Sequence, residues 1–191
     1  MPNWIEFRLG CQGLIRLALF DRNFPGYFDR STRGALRSFG LFLPLLPMVL
    51  LQVWLGAVPP PPSLLLFLAA KSVASAYNWI LFPFLILTAA RILDRENEAP
   101  GAIAIYNWAN VLWLVLQTPL TFAVVVGIPA DIVQLVWIAL LIASLVIEGF
   151  MFTVVLRLAP WHAAALVVLD FLLTALLIWP MGDWLGGVTV G

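Results

Sequence analysis

Five stretches of roughly twenty mostly apolar residues follow one another along the chain, and each is long enough to cross the hydrocarbon core of a bilayer. They run over about 38–58, 68–93, 102–126, 131–158 and 162–179. A backbone in lipid has no water to bond, so such segments must be helical. The pattern predicts an all-α, polytopic transmembrane helix bundle of about five spans. Composition agrees. Hydrophobic residues make up 63% of the 191 and charged residues 10%, against about 25% charged in a soluble domain.

Basic residues set the expected orientation, because they stay on the cytoplasmic side of a membrane. Arg8, Arg16, Arg22, Arg30, Arg33 and Arg37 precede the first span. Arg91 and Arg95 follow the second span and Arg157 follows the fourth, while the other two loops carry no basic residue. Every second side is therefore basic. This predicts a cytoplasmic N-terminus and a short tail, 181–191, on the far side of what is expected to be a bacterial inner membrane.

Residues 1–33 read as a cytoplasmic, interfacial amphipathic segment ahead of the spanning domain, 34–180. Trp4, Phe7, Cys11, Leu14, Ile15 and Ala18 recur at helical spacing, with Glu6, Gln12, Gly13 and Arg16 on the other side. Asp29, Ser31, Thr32 and Gly34 read as a turn and helix cap before the first span. Counting about twenty residues back from Arg91 reaches Lys71, which would snorkel at the outer interface. The stretch before it, 59–71, is then expected to be interfacial or re-entrant. One long tilted helix with Lys71 inside the membrane is the alternative.

The polar residues within the spans carry the functional information. Asn107, Asn110, Gln117 and Thr121 share one face of the third span, and Lys71, Ser75 and Asn78 share one face of the second. Glu148 and Asp170 fall at nearly the same depth as the two asparagines, just on the cytoplasmic side of the midplane. A lone carboxylate at that depth costs about 2.5–3.5 kcal/mol on insertion scales. Glu148, Asp170 and the asparagines are therefore expected to face one another inside the bundle. Two uses suit such a cluster: interhelical hydrogen-bond glue, or a proton- or cation-coupled site. Tyr-Asn-Trp occurs at both 77–79 and 106–108, which reads as coincidence in a Trp-rich chain, and Pro44, Pro47, Pro83 and Pro119 are expected to bend the spans.

Several function classes find no support. A formal net charge of zero speaks against a nucleic-acid partner. Cys11 and His162, the only residues of their kinds, offer too few ligands for a metal, and no cofactor is expected. Zinc-protease spacing, phosphate-binding glycine loops and serine–histidine arrangements are missing, so no catalytic residue is assigned and the chain is not expected to be an enzyme.

In its cytoplasmic N-terminal segment, its five spans, the charged inner loop ARILDRENEAPGAIAIYNW and the tight last inner turn FMFTVVLRLAPWHAAALVVLD, the chain resembles the bacterial branch of the Yip family of small polytopic membrane proteins. The resemblance covers about 34–180 and implies a five-helix protein without a catalytic role. The function expected is a non-enzymatic scaffold, assembly factor or accessory subunit that organises other membrane components. A small transporter or channel component is the alternative. The partners expected are the bilayer and either another membrane protein or a second copy of the chain. Arg22, Arg30, Arg33, Arg91 and Arg95 are placed to meet anionic lipid or an acidic partner.

Overall fold

The computed structural model describes residues 3–55 and 63–186, without the side chains of Val53, Ala74, Asn78 and 177–186. The described residues are helical, with no strand among them. Helix α1 spans Trp4–Ala18, α2 Thr32–Ser38, α3 Phe42–Leu55, α4 Leu64–Ile92, α5 Ala99–Val125, α6 Ala130–Val155 and α7 Pro160–Gly186. Short 3-10 turns lie at Phe24–Tyr27, Phe39–Leu41 and Glu96–Glu98. Four stretches are long and apolar enough to cross a membrane: Thr32–Gln52, Leu64–Ile92, Glu96–Val125 and Ala130–Val155. The proline run 59–62 and the last five residues of the expected tail lie outside the described residues.

Local chemistry explains the helix ends. Asn3 caps α1 by accepting from the Glu6 N–H at 2.8 Å, and the Glu6 side chain reaches back to the Asn3 N–H at 3.0 Å. Ser31 caps α2 through the Gly34 N–H, while Asp29 Oδ1 accepts from the Ser31 N–H. Helix α5 stops at a left-handed residue, Gly127, with φ +84°. Its capping bond, Ile128 N–H to Ala123 C=O at 3.0 Å, is of the kind that closes many helices. Within the apolar helices, the hydroxyls of Ser72, Thr88, Thr118, Ser144 and Thr153 donate to carbonyls one turn earlier. Those polar groups are thereby satisfied without water.

Two departures from expectation have simple causes. Residues 64–71, expected as an interfacial or re-entrant segment, are the opening turns of α4, which runs unbroken for 29 residues. At about 1.5 Å per residue that is about 43 Å, longer than the hydrocarbon core. Half-buried Lys71 lies in this helix with its ammonium 5.8 Å from the Phe67 ring centroid. The second departure is in α1. Gly13, expected on the polar side, sits on the bundle side beside Gly10, Leu14 and Leu17, whereas Trp4 and Ile15 are exposed. A glycine counts as polar in a hydropathy pattern, yet it is the missing side chain that lets α1 approach the bundle. A methyl at Gly10 would stand 2.8 Å from the Trp108 ring, and one at Gly13 would collide with Phe28.

Helix α5 is the hub. It packs against α1, α2, α3, α4 and α6, and α7 closes the arrangement by packing on α4 and α6. Residues Ala99–Trp108 of α5 are buried almost all round. The rest of the core lies at the same level: Phe82, Ile86 and Ala90 of α4, Met151, Phe152 and Val155 of α6, and Ala163, Leu166 and Val167 of α7. The opposite end differs, with 124–139 largely exposed. One end of the bundle is tightly packed and covered by α1 and the 19–31 loop, while the other offers apolar side chains outward.

Replacing Gly13 by Ala should lift α1 from this covered end and lower stability by about 1–3 kcal/mol. Cys11, the single cysteine and half-buried in α1, reports on it: maleimide labelling in detergent should be faster in the variant, together with a lower melting temperature.

Candidate functional site

Helices α5, α6 and α7 bring their polar side chains together near the buried end. Tyr106 lies about 10 Å along α5 from its start, Glu148 about 10 Å along α6 from its end, and Asp170 about 15 Å along α7 from its start. The Tyr106 hydroxyl donates to Asp170, at 3.1 Å from Oδ1 and 3.2 Å from Oδ2. The Asn110 side chain, one turn along α5, lies beside the same hydroxyl. The Glu148 and Asp170 carboxyls lie close enough to interact with each other. The Tyr106 ring packs on Phe82 of α4 with centroids 4.7 Å apart. All four helices therefore meet at one tyrosine.

Asn107 does something else. It is fully buried and donates from Nδ2 to Ser38 Oγ at 2.9 Å, and Ser38 in turn donates to the Ala35 carbonyl at 2.7 Å. Being one residue past Tyr106, it is turned by about 100° and faces α2 rather than the carboxyls. The expectation that both asparagines join Glu148 and Asp170 holds for Asn110, through Tyr106, and is corrected for Asn107. Gln117, expected on the same face, lies about 16 Å farther along α5 than Tyr106. It is half-buried, its carbonyl accepts from Thr121, and its side chain has no hydrogen-bond partner among the described residues. The side chain of Asn78 lies outside the described residues.

Gln52 and Ser38 are residues that sequence reasoning passed over. Gln52 of α3 donates to Thr118 Oγ1 at 2.6 Å and to the Leu114 carbonyl at 3.3 Å, tying the first apolar stretch to α5. A lone glutamine among apolar residues was the available signal. Ser38 gave none, since an isolated serine near a helix end is commonplace.

The basic candidates spread over the surface of the covered end. Arg22, Arg30, Arg33 and Arg91 are exposed and Arg95 is half-buried. Arg91 forms an exposed pair with Glu96 at 3.4 Å, the kind of pair that adds little stability. Comparison with protein-family models, with curated proteins and with solved structures returns no match.

Ser38→Ala should destabilise by about 1–3 kcal/mol, because it strands the fully buried Asn107 amide. Gln117→Leu, away from these bonds, should stay within about 0.5 kcal/mol of wild type. Thermal unfolding in one detergent compares the two, and equal effects would remove the distinction drawn between the two asparagine-and-glutamine positions.

Proposed function

We propose that this chain is a non-enzymatic polytopic membrane protein that scaffolds, assembles or accompanies other membrane components. The observation that carries this reading is how the polar side chains of the bundle are used. Tyr106 bonds to Asp170, Asn107 to Ser38 and Gln52 to Thr118, so each ties one helix to another. Interhelical hydrogen bonds of this kind hold membrane bundles together at about 0.6–2 kcal/mol each.

In this reading the spans are α2 with α3, then α4, α5, α6 and α7, the last being 27 residues long. The N-terminus with α1 lies at the cytoplasmic face of a bacterial inner membrane and the C-terminus outside. The exposed Arg22, Arg30, Arg33 and Arg91, with Arg95, form a basic rim at the covered end, suited to anionic lipid or an acidic partner. The exposed apolar residues of α6, among them Leu135, Trp137 and Ile142, supply a surface for lipid or neighbouring helices. The layout shared with the Yip family supports the same conclusion.

One observation favours a second reading, a small transporter or channel component with a proton- or cation-coupled site. Oε1 of Glu148 is buried without a hydrogen-bond partner among the described residues, and a carboxyl pair with a vacant acceptor suits a group that exchanges a proton.

Extraction from native membranes into lipid discs, followed by mass spectrometry, tests the first reading. A reproducible, near-stoichiometric protein partner is expected, and recovery of the chain alone contradicts it. Glu148 separates the readings. As glue, Glu148→Gln is nearly neutral and Glu148→Leu lowers thermal stability. As a working site, Glu148→Gln abolishes proton or cation flux with folding intact.

A further inference from the structure

A groove of about 480 Å³ runs between α6 and α7 on the outside of the bundle. Its walls include Ile142, Gly149, Phe150 and Thr153 of α6 and Pro160 and Ala164 of α7. Thr153 is the one polar side chain in the lining, and its hydroxyl already donates to the Phe150 carbonyl at 2.7 Å. The groove therefore has no free donor to offer, and its occupant is apolar. From Ile142 to Thr153 is about 16 Å along the helix, close to half of the roughly 30 Å hydrocarbon core. A spanning helix of a partner would need contact over the whole core, whereas a lipid tail needs one leaflet.

The end of the groove nearest the covered end carries positive charge. The turn that joins Thr153 to Pro160 holds Arg157, which is exposed and stands in the left-handed region at φ +53°. Glycine or asparagine is usual after a helix in that conformation, so the turn keeps a cation at a conformational cost. A second cation comes from the 19–31 loop. Phe20 and Phe24 pack on the Phe150 ring, with centroids 5.2 and 5.8 Å away, and exposed Arg22 lies between them in sequence. Neither Arg22 nor Arg157 has an ion pair among the described residues. Trp161, 68% exposed, follows Pro160, as suits a headgroup layer.

An apolar slot one leaflet deep beneath two unpaired guanidiniums is complementary to a lipid with a negative head. A zwitterionic head would also bring an ammonium to this mouth. Asp21, the one carboxylate of residues 19–24, is already engaged by Arg16 and Asn23. We infer that the α6–α7 groove seats one acyl chain of an anionic phospholipid of the phosphatidylglycerol type, its phosphate held by Arg157 and Arg22. The inference needs only that the covered end meets a headgroup layer, so its failure leaves the scaffold reading standing.

Two variants test head and tail separately. Arg157→Gly removes the charge at a position whose backbone suits glycine. Ala164→Phe fills the groove from an exposed position. The full chain in detergent is titrated with phosphatidylglycerol and with phosphatidylethanolamine and examined by native mass spectrometry. Wild type should retain one phosphatidylglycerol about tenfold more strongly than phosphatidylethanolamine, the factor that one charge-assisted hydrogen bond supplies. Arg157→Gly should lose that preference and Ala164→Phe should lose retention of both lipids, each with the lipid-free melting temperature of wild type. Arg8→Gln, which removes an exposed arginine of α1, should retain phosphatidylglycerol as wild type does. Equal retention of the two lipids by wild type, or an unchanged preference in folded Arg157→Gly, overturns the inference. So does unchanged retention in folded Ala164→Phe, or an equal loss in Arg8→Gln, which would mean that diffuse charge holds the lipid.

Discussion

A phenolic hydroxyl at the centre of an apolar helix bundle must find an acceptor, and the way Tyr106 finds one organises the structure. Its hydroxyl donates to Asp170 on α7, the Asn110 side chain lies beside it, and its ring rests on Phe82 of α4. Because α4 and α6 lie between α5 and α7, packing on both, the bond crosses the bundle rather than joining adjacent helices. It fixes the rotation of α5 and α7 together. Without water, both groups depend on polar partners within the bundle. Once α5 is fixed in rotation, Asn107 is aimed at Ser38 and Thr118 is presented to Gln52.

The same constraint explains why the molecule is tight at one end and open at the other. The Tyr106–Asp170 and Asn107–Ser38 bonds and the largest buried rings lie where α4 and α6 end and α5 and α7 begin. Helix α1 closes this end because Gly10 and Gly13 let its backbone approach Trp108 and Phe28. The Glu6–Arg37–Asp29 bridge then locks α1 to α2 and the intervening turn. The result is a braced, charged end with apolar side chains, aliphatic and aromatic, exposed along the rest of the bundle.

Much of this architecture was legible in the sequence, and the misses have physical reasons. Hydropathy located the long helices, because lipid tolerates few alternatives to twenty apolar residues. Depth counting put Glu148 and Asp170 together, because two isolated carboxyls in neighbouring helices would be costly. Tyr106 escaped notice because tyrosine reads as an interfacial or packing residue until its hydroxyl is seen to have an acceptor. Asn107 was assigned to the wrong neighbours since a shared helix face spans more than one partner, and 100° of rotation decides between them. Gly13 was placed on the polar side because a pattern built on side chains cannot register the value of lacking one. The unbroken α4 through Leu64–Lys71 matches the long-helix alternative, because a lysine can sit within an apolar helix with its ammonium near an aromatic ring, here that of Phe67.

The bundle depends on the bond that Tyr106 makes to Asp170, and a double-mutant cycle measures it most directly. Tyr106→Phe, Asp170→Asn and the double variant would be unfolded alongside wild type in the same lipid or detergent. A coupling energy of at least about 0.5 kcal/mol is predicted, with the double variant losing less than the sum of the singles. Strictly additive losses would mean that the two side chains do not support one another, and would remove the interaction from which the rest of the bundle has been derived.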